Sequence, residues 1–371
     1  MSFKKHSRQY DLVIFGATGY TGLMVAEFIA AHFPTDVKWA VAGRSVEKLE
    51  SVVKSCNAVN PDRQAPGVEI CNLDDAELSE LAKKTFVLIT TVGPYSQYGE
   101  HAFKACAEAG THYLDCTGEV TWHQVMLKKY NAAAKASGAC MFPQSGIESA
   151  PSDLIAFSLA SLIKSKLSTG VGDVVVDLHE LNAKPSGGTM ATVIGIFETF
   201  SWKEVVDSHK PFALSPEEPS LRNNSYGPNF TYREFTKARN FVTAMAMHYS
   251  LLIGATLLMF CSPVRKLVRK LVFQPGMGPT REDAAKEYIE FRGIATPDAE
   301  SKSGKQAICK AWYAGSMYYL TATVLCEGAR TLLEDDVGLA GGVYTPACLG
   351  QAFIDRLHDS GFKFETKILD T

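Results

Sequence analysis

Gly16, Gly19 and Gly22 recur at three-residue spacing in Val13–Gly22 (VIFGATGYTG), after an apolar run and before LMVAEFIAA, a helix-forming run. Strand, glycine-rich turn and helix start, in that order, suit a pyrophosphate. The turn must be tight, the backbone must approach the phosphates closely, and unpaired N–H groups at the helix N-terminus must face the anion. A glycine triplet also occurs in structural turns, but its place on the first strand of the chain favours a dinucleotide. The residues expected against it are Gly16, Ala17, Thr18, Gly19, Tyr20, Thr21 and Gly22.

Ala42-Gly43-Arg44-Ser45 follows the second apolar run. A free ribose 2′-hydroxyl is usually met here by Asp or Glu, yet the first carboxylate is Glu47. Arg44 stands where a 2′-phosphate would lie. A guanidinium forks onto phosphate through charge-assisted bonds, and Ser45 adds a hydroxyl. NADP is therefore expected over NAD, the alternative being Arg44 stacked on adenine. Asn72 and Leu73, after the third strand, are placed to meet adenine, although packing alone would account for Leu73.

The fourth strand ends Thr90-Thr91-Val92-Gly93-Pro94-Tyr95-Ser96-Gln97-Tyr98. Thr91, Gly93 and Pro94 fall where a nicotinamide ribose is expected, with an ordinary Gly-Pro turn as the plain alternative. Reduction also needs an acid at the cleft, and Tyr98, Tyr95 and Glu119 are the candidates. Asp115 and Glu119 either act in catalysis or cap the helix near Trp122. No Tyr-x-x-x-Lys pair occurs, Tyr130 and Lys135 being five apart, which argues against short-chain dehydrogenase chemistry. The stretch from Pro143 to Asp153 (PQSGIESAPSD) joins two halves of the chain and is a natural cleft wall.

The elements that must position these residues are legible over the first 145 residues, where apolar runs alternate with helical patterns. Strands are expected at Tyr10–Phe15, Val37–Ala42, Val68–Cys71, Phe86–Val92, His112–Asp115 and Ala139–Pro143, with a helix in each of the five crossovers. That pattern predicts an α/β fold, a Rossmann-type doubly wound parallel sheet with the site at the carboxyl ends of its strands. From Ile147 the alternation stops. Asp173–Asn182 and Lys305–Ala314 alternate like half-buried antiparallel strands, so a second, mixed α/β domain is expected. Pro211–Asn229 reads as an irregular loop. The expected organisation is a dinucleotide-binding domain over 1–147, a substrate or oligomerisation domain over 148–335, and a helical segment over 336–371 packing back on the first domain.

Phe241–Cys261 is 21 residues without a charge, followed by Arg265, Lys266, Arg269 and Lys270. A helix of that length crosses about 30 Å, the thickness of a hydrocarbon core. Three readings stand: a buried helix, attachment to one leaflet or a lipid-droplet surface, and a true span.

Composition excludes some classes. A net charge of -3 disfavours a nucleic-acid partner. Nine cysteines without a C-x-x-C pair read as reduced, core-filling thiols, and the spacing of His101, His112 and His123 argues against a metal site. The N-terminal MSFKKHSRQYD lacks the apolar region of a secretory signal, so a cytoplasmic location is expected.

Taken in order, GATGYTG (Gly16–Gly22), AGRS (Ala42–Ser45), TTVGPYSQYGE (Thr90–Glu100), YLDCTGE (Tyr113–Glu119) and SGIESAPSD (Ser145–Asp153) resemble the saccharopine dehydrogenase-like oxidoreductases. The likeness is to the branch holding the trans-acting enoyl reductases. It continues through SGGTMAT (Ser186–Thr192), PGMGPTRED (Pro275–Asp283) and TPACLGQAFIDRL (Thr345–Leu357). The resemblance implies a Rossmann domain with an inserted α/β domain, NADPH chemistry, and association with membranes or lipid droplets. A saccharopine-type substrate would need paired cations, for which Lys184, Arg233, Arg239 and Arg292 are available. Met190, Phe197, Phe200, Trp202, Phe241, Tyr318 and Tyr319 favour instead a lipid- or polyketide-like substrate, with packing in the core as the plain alternative, since residues of this kind at helical spacing more often fill a core. Three functions are thus expected in competition: reduction of an activated C=C bond, imine reduction, and a non-catalytic lipid-droplet or membrane protein on a nucleotide fold. The expected partners are a small-molecule or carrier-bound acyl or imine substrate, a membrane or lipid-droplet surface reached through residues 241–270, and a second copy in a homodimer.

Overall fold

Apolar runs alternating with amphipathic stretches build the first sheet, in a computed structural model that describes residues 3–216, 229–271, 277–298, 301 and 303–370. Its units are β1 (Tyr10–Phe15) with α1 (Tyr20–His32), β2 (Trp39–Gly43) with α2 (Val46–Val59), and β3 (Gly67–Ile70) with α3 (Asp75–Lys84). β4 (Thr85–Thr90) leads through the single turn α4 (Tyr95–Tyr98) to α5 (Glu100–Ala109). β5 (His112–Asp115) leads to α6 (Val120–Ser137), and β6 (Cys140–Phe142) to α7 (Ala150–Leu167), the bridge into the second domain.

That domain contains β7 (Val171–Asn182), α8 (Gly187–Thr199), α9 (Trp202–Ser208), β8 (Thr231–Thr236), α10 (Phe241–Phe260) and α11 (Ser262–Leu271). α12 (Arg281–Ala284), β9 (Tyr288–Pro297) and β10 (Lys305–Ala314) complete its described part. The chain then returns with α13 (Met317–Glu334), β11 (Gly342–Val343), a 3-10 turn (Pro346–Leu349), α14 (Gln351–Asp359) and β12 (Lys363–Asp370).

The first sheet is parallel throughout, in the order β11-β6-β5-β4-β1-β2-β3. Its order reverses between β1 and β4, which opens a crevice beyond their carboxyl ends. Leu12, Val13 and Ile14 of β1 are fully buried, since helices cover both faces of a parallel sheet. The second sheet runs β12-β10-β9-β7-β8, with only β7 and β8 parallel. α7 lies against it, and Ile155 and Leu159 fill the space left by Gly293, where a Cβ would stand 2.4 Å from Ile155 Cγ2. One continuous core therefore runs from β1 through α7 into β9 and β10.

Three expectations change. The segment 336–371 is not simply helical: β11 adds a seventh strand beside β6, and β12 joins the second sheet through β10. The cause is local chemistry. β11 is two residues preceded by Gly341, where a Cβ would stand 2.2 Å from Ala134 O, and β12 alternates charged and apolar side chains as an edge strand. α13, placed before the expected boundary at 335, packs on α1 and belongs to the first domain. The buried-helix reading of Phe241–Cys261 also falls, because α10 buries none of its residues and exposes 77% of Phe241 and 71% of Leu251. The irregular loop expected at Pro211–Asn229 lies, over 217–228, outside the described residues, as do Pro275 and Gly276 of PGMGPTRED.

Candidate active site

The glycine turn is built to admit no side chain. Gly16 holds φ +91°, and its N–H donates to Ala42 O (3.0 Å), which ties the turn to β2. A Cβ on Gly22 would lie 2.2 Å from Gly16 O and 2.9 Å from Ala17 Cα, so α1 starts directly on the turn. Gly19 occupies the N-cap of α1 without a side-chain cap, and no acidic residue stands in the first turn. The first N–H groups of this thirteen-residue helix are thus left for an outside acceptor. Thr91 Oγ1 donates to Gly16 O (3.1 Å) and clamps the turn from β4.

A cavity of about 460 Å³ opens over this turn and extends across the sheet to the β6–α7 loop. Gly16, Thr18, Gly19, Tyr20 and Thr21 line one side of it, and Thr91 and Gly93 the next. Arg44 and Leu73 close the end beyond β2 and β3. Ala17, Gly22, Ser45 and Pro94 shape the walls from behind without lining them. Ser45 caps α2, accepting from Lys48 N (3.4 Å), and Asn72 is held by Glu77, its N–H donating to Oε2 (2.7 Å). The Arg44 guanidinium is exposed, with no ion-pair partner among the described residues. Three features fit NADP: uncapped N–H groups, a cradle that a Cβ would fill, and an unpaired cation beyond β2.

The three candidate acids separate. Glu119 is fully buried and does not line the cavity; its carboxylate accepts from Tyr95 N (2.6 Å) and Ser96 N (2.9 Å). It stands at the N-cap of α6 yet its side chain caps α4, so the expectation that it caps the helix near Trp122 is corrected. Tyr95 lines the cavity, but its ring is buried and its hydroxyl donates to Thr90 O (3.0 Å), so that group is already engaged. Tyr98 lines the cavity with 40% of its surface exposed, and no described residue binds its hydroxyl. Asp115 is likewise engaged behind the cavity wall. Fully buried, it accepts from Tyr113 Oη (2.7 Å), Thr117 N and Gln144 N (both 2.9 Å), and desolvation pushes its carboxyl up to about 7.

The second domain contributes the roof. Thr192, Val193 and Ile196 of α8 line the cavity. Tyr318, at the start of α13, accepts from Ser186 N (2.5 Å), lies 2.8 Å from Thr189 Oγ1, and meets Tyr20 edge-on at 5.2 Å. Tyr20 donates in turn to Pro279 O (2.8 Å), and Gly278 leaves room for its ring. These contacts explain the SGGTMAT and PGMGPTRED motifs: they fasten the second domain onto the glycine turn. The expected apolar pocket residues do not gather here. Of that set only Tyr318 lines the cavity, while Trp202 and Phe241 are exposed. Sequence reasoning placed Glu148 in a cleft wall without giving it a role; it lines the cavity beside Cys116 and Gly118.

A family model for the saccharopine dehydrogenase NADP binding domain matches residues 12–141, the segment from β1 to β6. That segment is similar to the NADP-binding domains of saccharopine dehydrogenases. The chain is accordingly an NADP-dependent oxidoreductase. It is 27% identical to a trans-acting enoyl reductase of Mycobacterium leprae, over 95% of this chain and 97% of that one. The same shares and identity hold for a trans-acting enoyl reductase of Mycobacterium tuberculosis. In fold it resembles the apo saccharopine dehydrogenase (L-Glu forming) of Saccharomyces cerevisiae, with a TM-score of 0.57, 10% identity, and coverage of 97% of this chain and all of that one.

Proposed function

We propose that this oxidoreductase reduces the C=C bond of an enoyl group carried on a lipid- or polyketide-like chain. The observation that carries the reading is the charge of the cleft. Arg44, beyond β2, is the only cation lining it among the described residues. The cations available for a dicarboxylate lie elsewhere: Lys184 faces Asp283 (3.4 Å), Arg292 faces Glu290 (2.7 Å), Arg233 pairs with Asp173, and Arg239 does not line the cavity. A saccharopine-type imine would leave its carboxylates unpaired in such a site, whereas a neutral enoyl thioester would not. The names of the full-length mycobacterial relatives support the same choice.

NADPH supplies the hydride when bound. The chain's residues do the rest. The open N–H groups of α1 take the pyrophosphate, with Ala17 and Gly22 shaping the turn behind them. Arg44 takes the 2′-phosphate, with Ser45 behind it capping α2, and Thr91 and Gly93 border the nicotinamide ribose, with Pro94 behind them. Tyr98 stands at the substrate end. Loss of NADPH fluorescence is expected with trans-2-enoyl thioesters and not with amino-dicarboxylate imines. The opposite preference would restore the imine reading, and failure to bind either nucleotide would leave only the non-catalytic one.

A lipid-like substrate also gives α10 and α11 a use, as a dock for an anionic lipid surface. α10 is 20 uncharged residues of mean hydropathy 1.6, all unburied, and α11 presents Lys266 and Lys270 beside it. Both helices rest on α8, where Arg265 (3.5 Å) and Arg269 (2.5 Å) grip Glu198. The protein is expected to float with mixed phosphatidylcholine–phosphatidylserine vesicles. Leu251→Asp with Leu252→Asp should abolish flotation and leave NADPH binding intact; flotation unchanged by that pair would contradict the dock.

A further inference from the structure

Glu148 belongs to the loop between β6 and α7, at the opposite end of the cavity from Arg44. It is the only carboxylate lining the cavity among the described residues. Asp115 and Glu119 lie behind the wall with their oxygens taken by N–H and hydroxyl donors. Glu148 has no cation and no other side chain bound to it among the described residues, and its side chain is open to the cavity. Its seat is made by glycine: a Cβ on Gly146 would stand 2.8 Å from Glu148 Oε2, and one on Gly118 would touch its Cγ at 4.0 Å. The dinucleotide-binding turn, Arg44 and Leu73 take up the β1–β3 half of the crevice, so Glu148 marks the half where the reacting carbon must lie.

We propose that Glu148 is the catalytic acid that protonates the reduced substrate, an inference that rests on the enoyl-reduction reading above. Hydride adds to the β-carbon, the π pair of the C=C bond moves toward the α-carbon and carbonyl, and the Glu148 O–H bond breaks to form the new α-carbon–hydrogen bond. NADPH is the hydride source and is oxidised as the enoyl group is reduced. The carboxylate left on Glu148 recovers its proton from water at the cleft mouth. Glu148 is exposed to the cavity rather than sealed in protein, and desolvation at the cavity wall raises its carboxyl above the usual carboxylate range, which favours the protonated form. The other ionisable side chains on the cavity are Tyr20, Arg44, Tyr95, Tyr98, Cys116 and Tyr318. Burial pushes the Tyr95 and Cys116 protons further up, which disfavours the charged forms of both.

The test is single-turnover NADPH oxidation with a trans-2-enoyl thioester in wild type, Glu148→Gln, Glu148→Asp and Tyr98→Phe. Glu148→Gln should lower the rate by about 10²- to 10⁴-fold with NADPH affinity unchanged, and Glu148→Asp should recover part of it. The wild-type rate should fall as pH rises through the Glu148 titration, since only the protonated form donates. Tyr98→Phe should keep that limb and Glu148→Gln should lose it. A Glu148→Gln rate within about threefold of wild type, with the pH limb intact, would overturn the assignment. Reduction of a cyclic imine but of no thioester would contradict the enoyl reading alone; loss of the imine activity in Glu148→Gln would then still uphold the acid. Absence of turnover with either substrate would overturn both.

Discussion

Gly22→Ala is expected to weaken NADPH binding by at least about a hundredfold, because the new methyl has nowhere to go. Its carbon would lie 2.2 Å from Gly16 O, 2.8 Å from Thr91 Oγ1 and 2.9 Å from Ala17 Cα, and two of those three atoms are backbone. Relief requires α1 to move away from the turn by roughly 1 Å, which carries the helix N–H groups off the pyrophosphate they are placed to meet. Gly19→Ala is the graded control. Its Cβ would meet only Gly16 O, at 3.3 Å, a contact that a small shift relieves, so the loss should be much smaller. Fluorescence titration of NADPH reads both, with circular dichroism to confirm that each variant is folded. A Gly22→Ala protein that titrates like wild type would mean that the turn does not hold the dinucleotide.

Arg44→Ala should separate the two nicotinamide cofactors. The guanidinium is exposed beyond β2, and no described residue engages it. A charge-assisted contact to the 2′-phosphate is worth about 1.5–3 kcal/mol, or roughly 10- to 100-fold in affinity. NADPH binding should fall by that factor while NADH binding stays where it was. Equal losses for both nucleotides would show Arg44 stacked on adenine instead, since that contact is common to NADPH and NADH.

Legibility in the sequence followed burial and distance along the chain. β1, β2 and β4 are buried on both faces, so each reads as an unbroken apolar run, and the glycine turn stands between a run and the helix it opens. The second sheet was half visible: β7 and β10 alternate clearly, while β8 is exposed at every position and β12 is a charged edge. α10 has the composition of a core helix, and only tertiary contacts, which no periodicity reports, could show that nothing covers it.

The acids were the hardest to read, for the same reason. Glu119 precedes α6 in a position that suggests a cap, but its partners, Tyr95 and Ser96, come from the far side of β5. Glu148 carried a signal that could have been used: it is a carboxylate just past the carboxyl end of a parallel strand, in the loop joining two domains. Tyr318 gave none, because an aromatic residue at the head of a helix looks the same whether it packs in a core or anchors α8.

Hydride transfer from NADPH to an enoyl carbon in this cleft is tested most directly with label. NADPH deuterated at its transferable carbon is turned over with a trans-2-enoyl thioester, and the product is read by mass spectrometry and proton NMR. Deuterium should appear at the β-carbon alone, and the hydrogen gained at the α-carbon should come from water. A saturated product without deuterium, or label at the α-carbon, would contradict the proposed reaction.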